Sequence, residues 1–147
     1  MRRILRPFVT HPYDSCVISI ADLEAIAAER LDEAEVLFEN NRLDGAAYVC
    51  GYAVELTLKA RICKTLNWEG YPEKRSEFEN FSSFKTHKLD VLLALSGMRE
   101  TIKTAHTEEW SAVATWDPEV RYRVVGQAEI ADVRAMLQSV RTLLNVL

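Results

Sequence analysis

Long apolar runs are missing from this 147-residue sequence, and no stretch reaches the roughly 20 residues that a membrane-spanning helix needs. Cysteine is sparse and odd in number. Cys16, Cys50 and Cys63 include no CxxC pair, which supports neither a disulfide framework nor a zinc site. Cys50 and Cys63 read instead as small core residues. No P-loop, GxGxxG, HExxH, GxSxG or EF-hand loop occurs, so no metal and no cofactor is expected. The net charge of −4 and pI of about 5.4 argue against broad, non-specific binding to nucleic acid, which rests on phosphate neutralisation by Lys and Arg. A local basic pocket is still compatible with that balance. The basic start "MRRILRPFVTHPYDSC" is interrupted by Pro7, His11, Pro12 and Asp14, so secretion is not expected and a cytoplasmic location is.

What the sequence does have is one dominant apolar stretch, Leu43–Leu66. Between Ala46 and Ala60 its only charged residues are Glu55 and Lys59. A helix apolar nearly all round cannot lie on a surface; it must be wrapped on several sides. This predicts a central helix in an all-α, antiparallel up-and-down bundle of about five helices. The length suits one domain over residues 19–147, preceded by an irregular arm at 1–18. Packing of Ile4, Leu5, Phe8 and Tyr13 onto the bundle or a second subunit competes with a loosely attached arm.

Ser19 opens the first helix, with Asp22 three residues on as a capping-box variant. Ile20, Leu23, Ala27, Leu31 (or Ala34), Leu37 and Phe38 make its buried stripe, and its many acids make a solvated face that would repel RNA. "ENNRLDG" turns tightly into the central helix with Asp44 as the expected cap. Asn67–Lys85 is the longest irregular segment, and Trp68, Tyr71, Phe78, Phe81 and Phe84 are expected to cap one end of the core or to form a ligand or dimer surface. Thr86 is expected to cap a short helix closed by Gly97. A further helix is expected over about Met98–Thr115, then an extended link "WDPEVRYRVVGQ". A last helix, about Ala128–Leu147, carries the seam Ile130, Val133, Leu137, Val140, Leu144 and Leu147. No strand is expected.

Glu55 is the most informative polar residue. A lone carboxylate inside an apolar helix is costly and needs a partner. Lys59 lies four residues on in the favourable order, and Arg121 is a second candidate. An ion pair that fixes packing and a polar pocket for a nucleotide or RNA group both fit. "WDPEVRYR" gathers Arg121, Tyr122 and Arg123 into an anion site, arginine being suited to bidentate phosphate contact. A link in which Glu119 and Arg121 pair competes with that reading.

"AAYVCGYAVELTLKA", followed by "THKLDVLLAL" and a final amphipathic helix, resembles the HEPN superfamily, whose name denotes higher eukaryotes and prokaryotes nucleotide-binding domains. The resemblance covers about Ile20–Leu147. It implies a helical bundle that forms a homodimer, often encoded beside a minimal nucleotidyltransferase as a toxin–antitoxin pair, with RNA or nucleotide as ligand. It also implies, for many members, a metal-independent endoribonuclease whose Arg and His, four to six residues apart, meet across the dimer. There His would transfer protons at the 2′-hydroxyl or the leaving oxygen, and Arg would hold the phosphate.

In this chain Arg99 and His106 have six residues between them, and a continuous helix would place both on one face. Arg6 and His11 fit equally well, and twelve arginines with three histidines make about one accidental match expected. Glu100 follows Arg99 and would repel phosphate. Near the last helix, where the family motif tends to sit, stand Arg121 and Arg123 without a histidine. The first expectation is therefore an RNA- or nucleotide-associated interaction module of the toxin–antitoxin kind, without an intact ribonuclease motif. The alternatives are an active endoribonuclease using Arg99 and His106, and a purely structural dimeric partner of a nucleotidyltransferase.

Overall fold

A computed structural model of the chain describes residues 17–73 and 80–147. The expectations placed on residues 1–16 and on Phe78 lie outside the described residues. The architecture is an all-α helical bundle with a minimal two-stranded ribbon: β1 (Val17–Ser19), α1 (Ile20–Glu39), α2 (Leu43–Leu66), β2 (Gly70–Pro72), α3 (Leu89–Leu95), α4 (Arg99–Ala105), α5 (Thr107–Val113) and α6 (Ile130–Val146).

α1 begins as expected. Ser19 Oγ accepts from the Asp22 amide at 3.1 Å and donates to the Asp22 carboxylate at 2.7 Å, satisfying a free donor of the first turn. Its buried stripe is Leu23, Ala27, Leu31 and Ala34, with Ile20, Leu37 and Phe38 partly buried beside it. Asn41, at φ 57° in the left-handed region, makes the tight turn into α2, whose bounds are those expected. Asp44 is not the cap of α2. Arg42 holds that position without a side-chain bond, and Asp44, one turn inside, faces the chain that enters α6.

α2 is buried along most of its length, from Ala46 to Cys63, through Cys50, Ala53, Val54, Leu58 and Ile62 among others, and packs against α1, α3 and α6. Cys50 and Cys63 are free core thiols, and burial pushes the Cys50 pKa up to about 12. Asn67, also left-handed, ends the helix.

One expectation fails just beyond. A strand does form: β1 and β2 pair antiparallel, with Ile18 opposite Tyr71 and Ser19 opposite Gly70. Three residues a side are too few to show a period of two in the sequence. Gly70 is required there, because a Cβ would stand 2.5 Å from the Ile18 carbonyl oxygen. Trp68, Tyr71, Phe81 and Phe84 then close one end of the core, Trp68 lying 5.0 Å from Phe84 and 5.6 Å from Phe81. The Tyr71 hydroxyl donates to the Phe84 carbonyl at 2.5 Å.

Thr86 accepts from the Lys88 amide at 3.1 Å, and the helix proper starts only at Leu89. The single helix expected over Met98–Thr115 is broken at His106, with φ −133° and ψ 40°. Thr104, Thr107 and Ser111 each bond back to a carbonyl four residues earlier, a habit that bends helices. The link before α6 is not wholly extended. Pro118–Tyr122 forms a 3-10 turn, started by Asp117 accepting from the Glu119 amide at 2.7 Å. α6 starts two residues later than expected and buries a wider stripe: Val133, Met136, Leu137, Val140 and Leu143, with Leu147 beyond its end. Ile130 is half exposed, so the simple seam fails at its first residue. Among the described residues no helix is long and apolar enough to cross a membrane.

Candidate functional site

Tyr48, Tyr52, Glu55 and Lys59 are spaced by four, three and four along α2, one stripe of a helix otherwise committed to the core. Trp116 lies beside the start of this stripe. Its indole Nε1 donates to the Tyr48 carbonyl at 3.1 Å, and its ring meets Tyr52 edge-on at 5.0 Å. The indole fits only because residue 51 is glycine; a Cβ there would stand 2.2 Å from three of its ring atoms. A buried Trp116 therefore fixes the point from which Asp117–Gln127 crosses the bundle.

Asp44 ties down the far end of that segment. Its carboxylate accepts from the Gly126 amide at 2.7 Å and the Ala128 amide at 3.1 Å. These bonds favour the ionised form and hold its pKa below the ordinary 3.8. Gly126, at φ 85°, supplies a backbone turn that a side chain would strain. Between the two anchors opens a groove of about 340 Å³, lined by Asp44, Tyr48, Val120, Arg121, Arg123 and Gln127 with their neighbours.

Arg121 and Arg123 thus share one groove. The Arg121 guanidinium stacks over the Tyr122 ring at 4.7 Å, and Tyr122 itself is 73% exposed. Glu119 approaches Arg121 only to 3.8 Å, in an open surface pair rather than a closed one. Hydrogen bonds from Tyr52 and then Arg121 lower the Tyr48 pKa, while burial and the Tyr48 hydroxyl raise that of Tyr52 to about 12. Arg121 and Arg123 carry the groove's positive charge.

Glu55 and Lys59 do not line this groove; they form a second cluster farther along the stripe. Glu55 is 2% exposed. Its Oε1 takes Lys59 Nζ at 2.7 Å, the first partner expected for it, and also His87 Nδ1 at 2.8 Å. Arg121, the second candidate, makes no ion pair with Glu55. Oε2 is buried and has no partner among the described residues. Lys59 Nζ also lies 5.3 Å over the Tyr71 ring, so the cluster ties α2 to the aromatic end of the core.

Arg99 is the first residue of α4 and exposed, whereas His106 sits at the break between α4 and α5, 3.8 Å from Glu109. The continuous helix that would have aligned them is absent. Sequence reasoning missed Tyr48 and Tyr52, and took His87 for an exposed, capping or structural residue rather than a partner of Glu55. The stripe through 48, 52, 55 and 59 was visible in the spacing, but the bond from His87 crosses 32 residues and left no local signal.

Fold and groove together define an all-α bundle in which arginines of the link before α6 stand beside the tyrosine-bearing polar stripe of a buried central helix. Residues 20–147 match the HEPN domain family, and the chain belongs to that family. Its fold and its nucleotide- or RNA-related character follow at the level of the family. No curated protein and no solved structure matches the chain.

Proposed function

We propose that this chain is an RNA- or nucleotide-associated interaction module of the toxin–antitoxin kind. It acts as a homodimer beside a minimal nucleotidyltransferase, and its ribonuclease motif is not intact. The observation that carries the reading is the groove anchored by Trp116 and Asp44, into which Arg121 and Arg123 project two positive charges. Arg121 is pre-oriented by stacking on Tyr122, so its planar fork can meet a phosphate without losing much side-chain freedom. The exposed Tyr122 ring offers a face on which a base can stack. Asp44 does not oppose an anion strongly, because its charge is already met by backbone amides.

The break at His106 and the acid beside it speak against a cleavage centre at Arg99 and His106. The test is anisotropy of a labelled single-stranded RNA titrated with wild type and with the Arg121→Ala/Arg123→Ala double variant. The variant is expected to bind about tenfold more weakly or worse, and to lose about 1.4 from the slope of log affinity against log salt, about 0.7 for each phosphate contact. Equal affinity and slope would reject the groove. Incubation of RNA in EDTA with wild type and His106→Ala is expected to show no cutting. Cutting that vanishes in the variant would favour the endoribonuclease instead.

A further inference from the structure

On another face of the molecule, α1, α2 and the end of α6 enclose a second groove of about 550 Å³. Three cations line it: Arg61 and Lys64 from α2, and Arg141 from α6. Two of them are matched. Lys64 pairs with Glu24 and Arg141 with Glu35, both acids on α1. Arg61 has no ion-pair partner among the described residues, and its Nε is buried without a hydrogen bond. A buried donor left unmet is costly, and the cost rises when the donor carries charge. The terminal nitrogens of Arg61, which are not buried and make no hydrogen bond among the described residues, stand beside open space large enough for a small ligand.

We propose that this groove is a phosphate site centred on Arg61, separate from the Arg121 groove. The end of a guanidinium, its two terminal nitrogens, is a fork matched to two oxygens of one anion. Lys64 and Arg141 flank the fork and can reach further oxygens, which a tetrahedral phosphate has and a carboxylate lacks. The Thr57 hydroxyl, on the same stripe of α2, donates to the Ala53 carbonyl at 2.8 Å and keeps its own oxygen as an acceptor for a protonated phosphate oxygen. Asp32 also lines the groove, exposed, and weakens the attraction; it makes no ion pair with Arg61. The site therefore favours a small free phosphate or phosphate ester over a polyanion.

The test is an NMR titration of the intact chain with inorganic phosphate, glycerol phosphate and acetate at constant ionic strength. Saturable shifts of the Thr57, Arg61 and Asn145 amides are expected with the two phosphates and not with acetate. A stronger response to glycerol phosphate identifies an ester as the ligand, and an equal response identifies the phosphate group alone. Arg61→Gln should weaken phosphate binding at least about tenfold. Arg61→Lys should give an intermediate loss, and Asp32→Asn should tighten binding. Arg61→Gln should unfold no more easily than wild type, so loss of binding cannot be laid to loss of fold. Absence of saturable shifts in wild type, shifts confined to Gly126 and Ala128, or unchanged binding by Arg61→Gln would each overturn the proposal.

Discussion

Gly51→Ala is the smallest change that should disturb both the core and the Arg121 groove. A methyl group at position 51 would stand 2.2 Å from the Trp116 ring, against a contact distance of about 3.5 Å for carbon atoms. The indole must retreat by more than an ångström, and it is 6% exposed with its Nε1 bonded to the Tyr48 carbonyl. Overpacking of this kind costs about 1–3 kcal/mol, and a rigid ring backed by core belongs at or above the upper end. Alanine returns about 1 kcal/mol of helix propensity. The net loss should be about 2 kcal/mol, read as a lower urea midpoint at unchanged slope. Removing the ring separates these two effects. Trp116→Ala alone should cost about 3–5 kcal/mol, but in that background Gly51→Ala should stabilise by up to about 1 kcal/mol. The coupling between the two sites is then about 3 kcal/mol, above what independent positions show. RNA binding should fall in both single variants, because Trp116 sets the start of the segment that carries Arg121. A Gly51→Ala protein as stable as wild type, or a loss of the same size with and without Trp116, would refute the packing argument.

Other expectations concern the two polar anchors. Asp44 has a folded-state pKa below its unfolded value, so its contribution is full above the ordinary 3.8 and is lost as pH falls through the folded value. Hydrogen exchange at the Gly126 and Ala128 amides should therefore accelerate on acidification below that point, and Asp44→Ala should remove the transition; protection that ignores pH would show that the carboxylate does not hold the loop. Glu55→Ala strands Lys59 and His87 beside the core and should cost about 3–5 kcal/mol in urea unfolding. His87→Ala should cost only about 1 kcal/mol, because that ring is 61% exposed. An equal loss in the two variants would contradict the assignment of Glu55 as the shared acceptor.

The central helix was legible because its pattern is local: one charged pair within fifteen residues of apolar sequence forces burial, and the bounds Leu43–Leu66 follow from the turn and the asparagine that flank them. The Ser19 cap was legible for the same reason. Asp44 was misread because a short acid at the start of a helix is ordinarily a cap; only the arrival of residues 126–128 gives it another task. The bend at His106 depended on three hydroxyls whose back-bonding is a matter of rotamer, and the ribbon on a pairing too short to show a period. Arg121 and Arg123 stood out in the sequence by their clustering in one short segment. Their groove did not, since it needs a glycine beneath a tryptophan 65 positions away to hold the segment in place.

The bonds that frame the Arg121 groove are also far-reaching along the chain: Trp116 to Tyr48 closes a loop of 68 residues, and Gly126 to Asp44 one of 82. The α1–α2 hairpin, joined by a turn of a few residues, can assemble with little loop-closure cost, whereas these contacts must each close a far longer loop. By this argument the arginines follow the hairpin into place. A chain caught with only its hairpin formed has the helix that will floor the groove but nothing to wall it, so the groove takes shape only as the native state does.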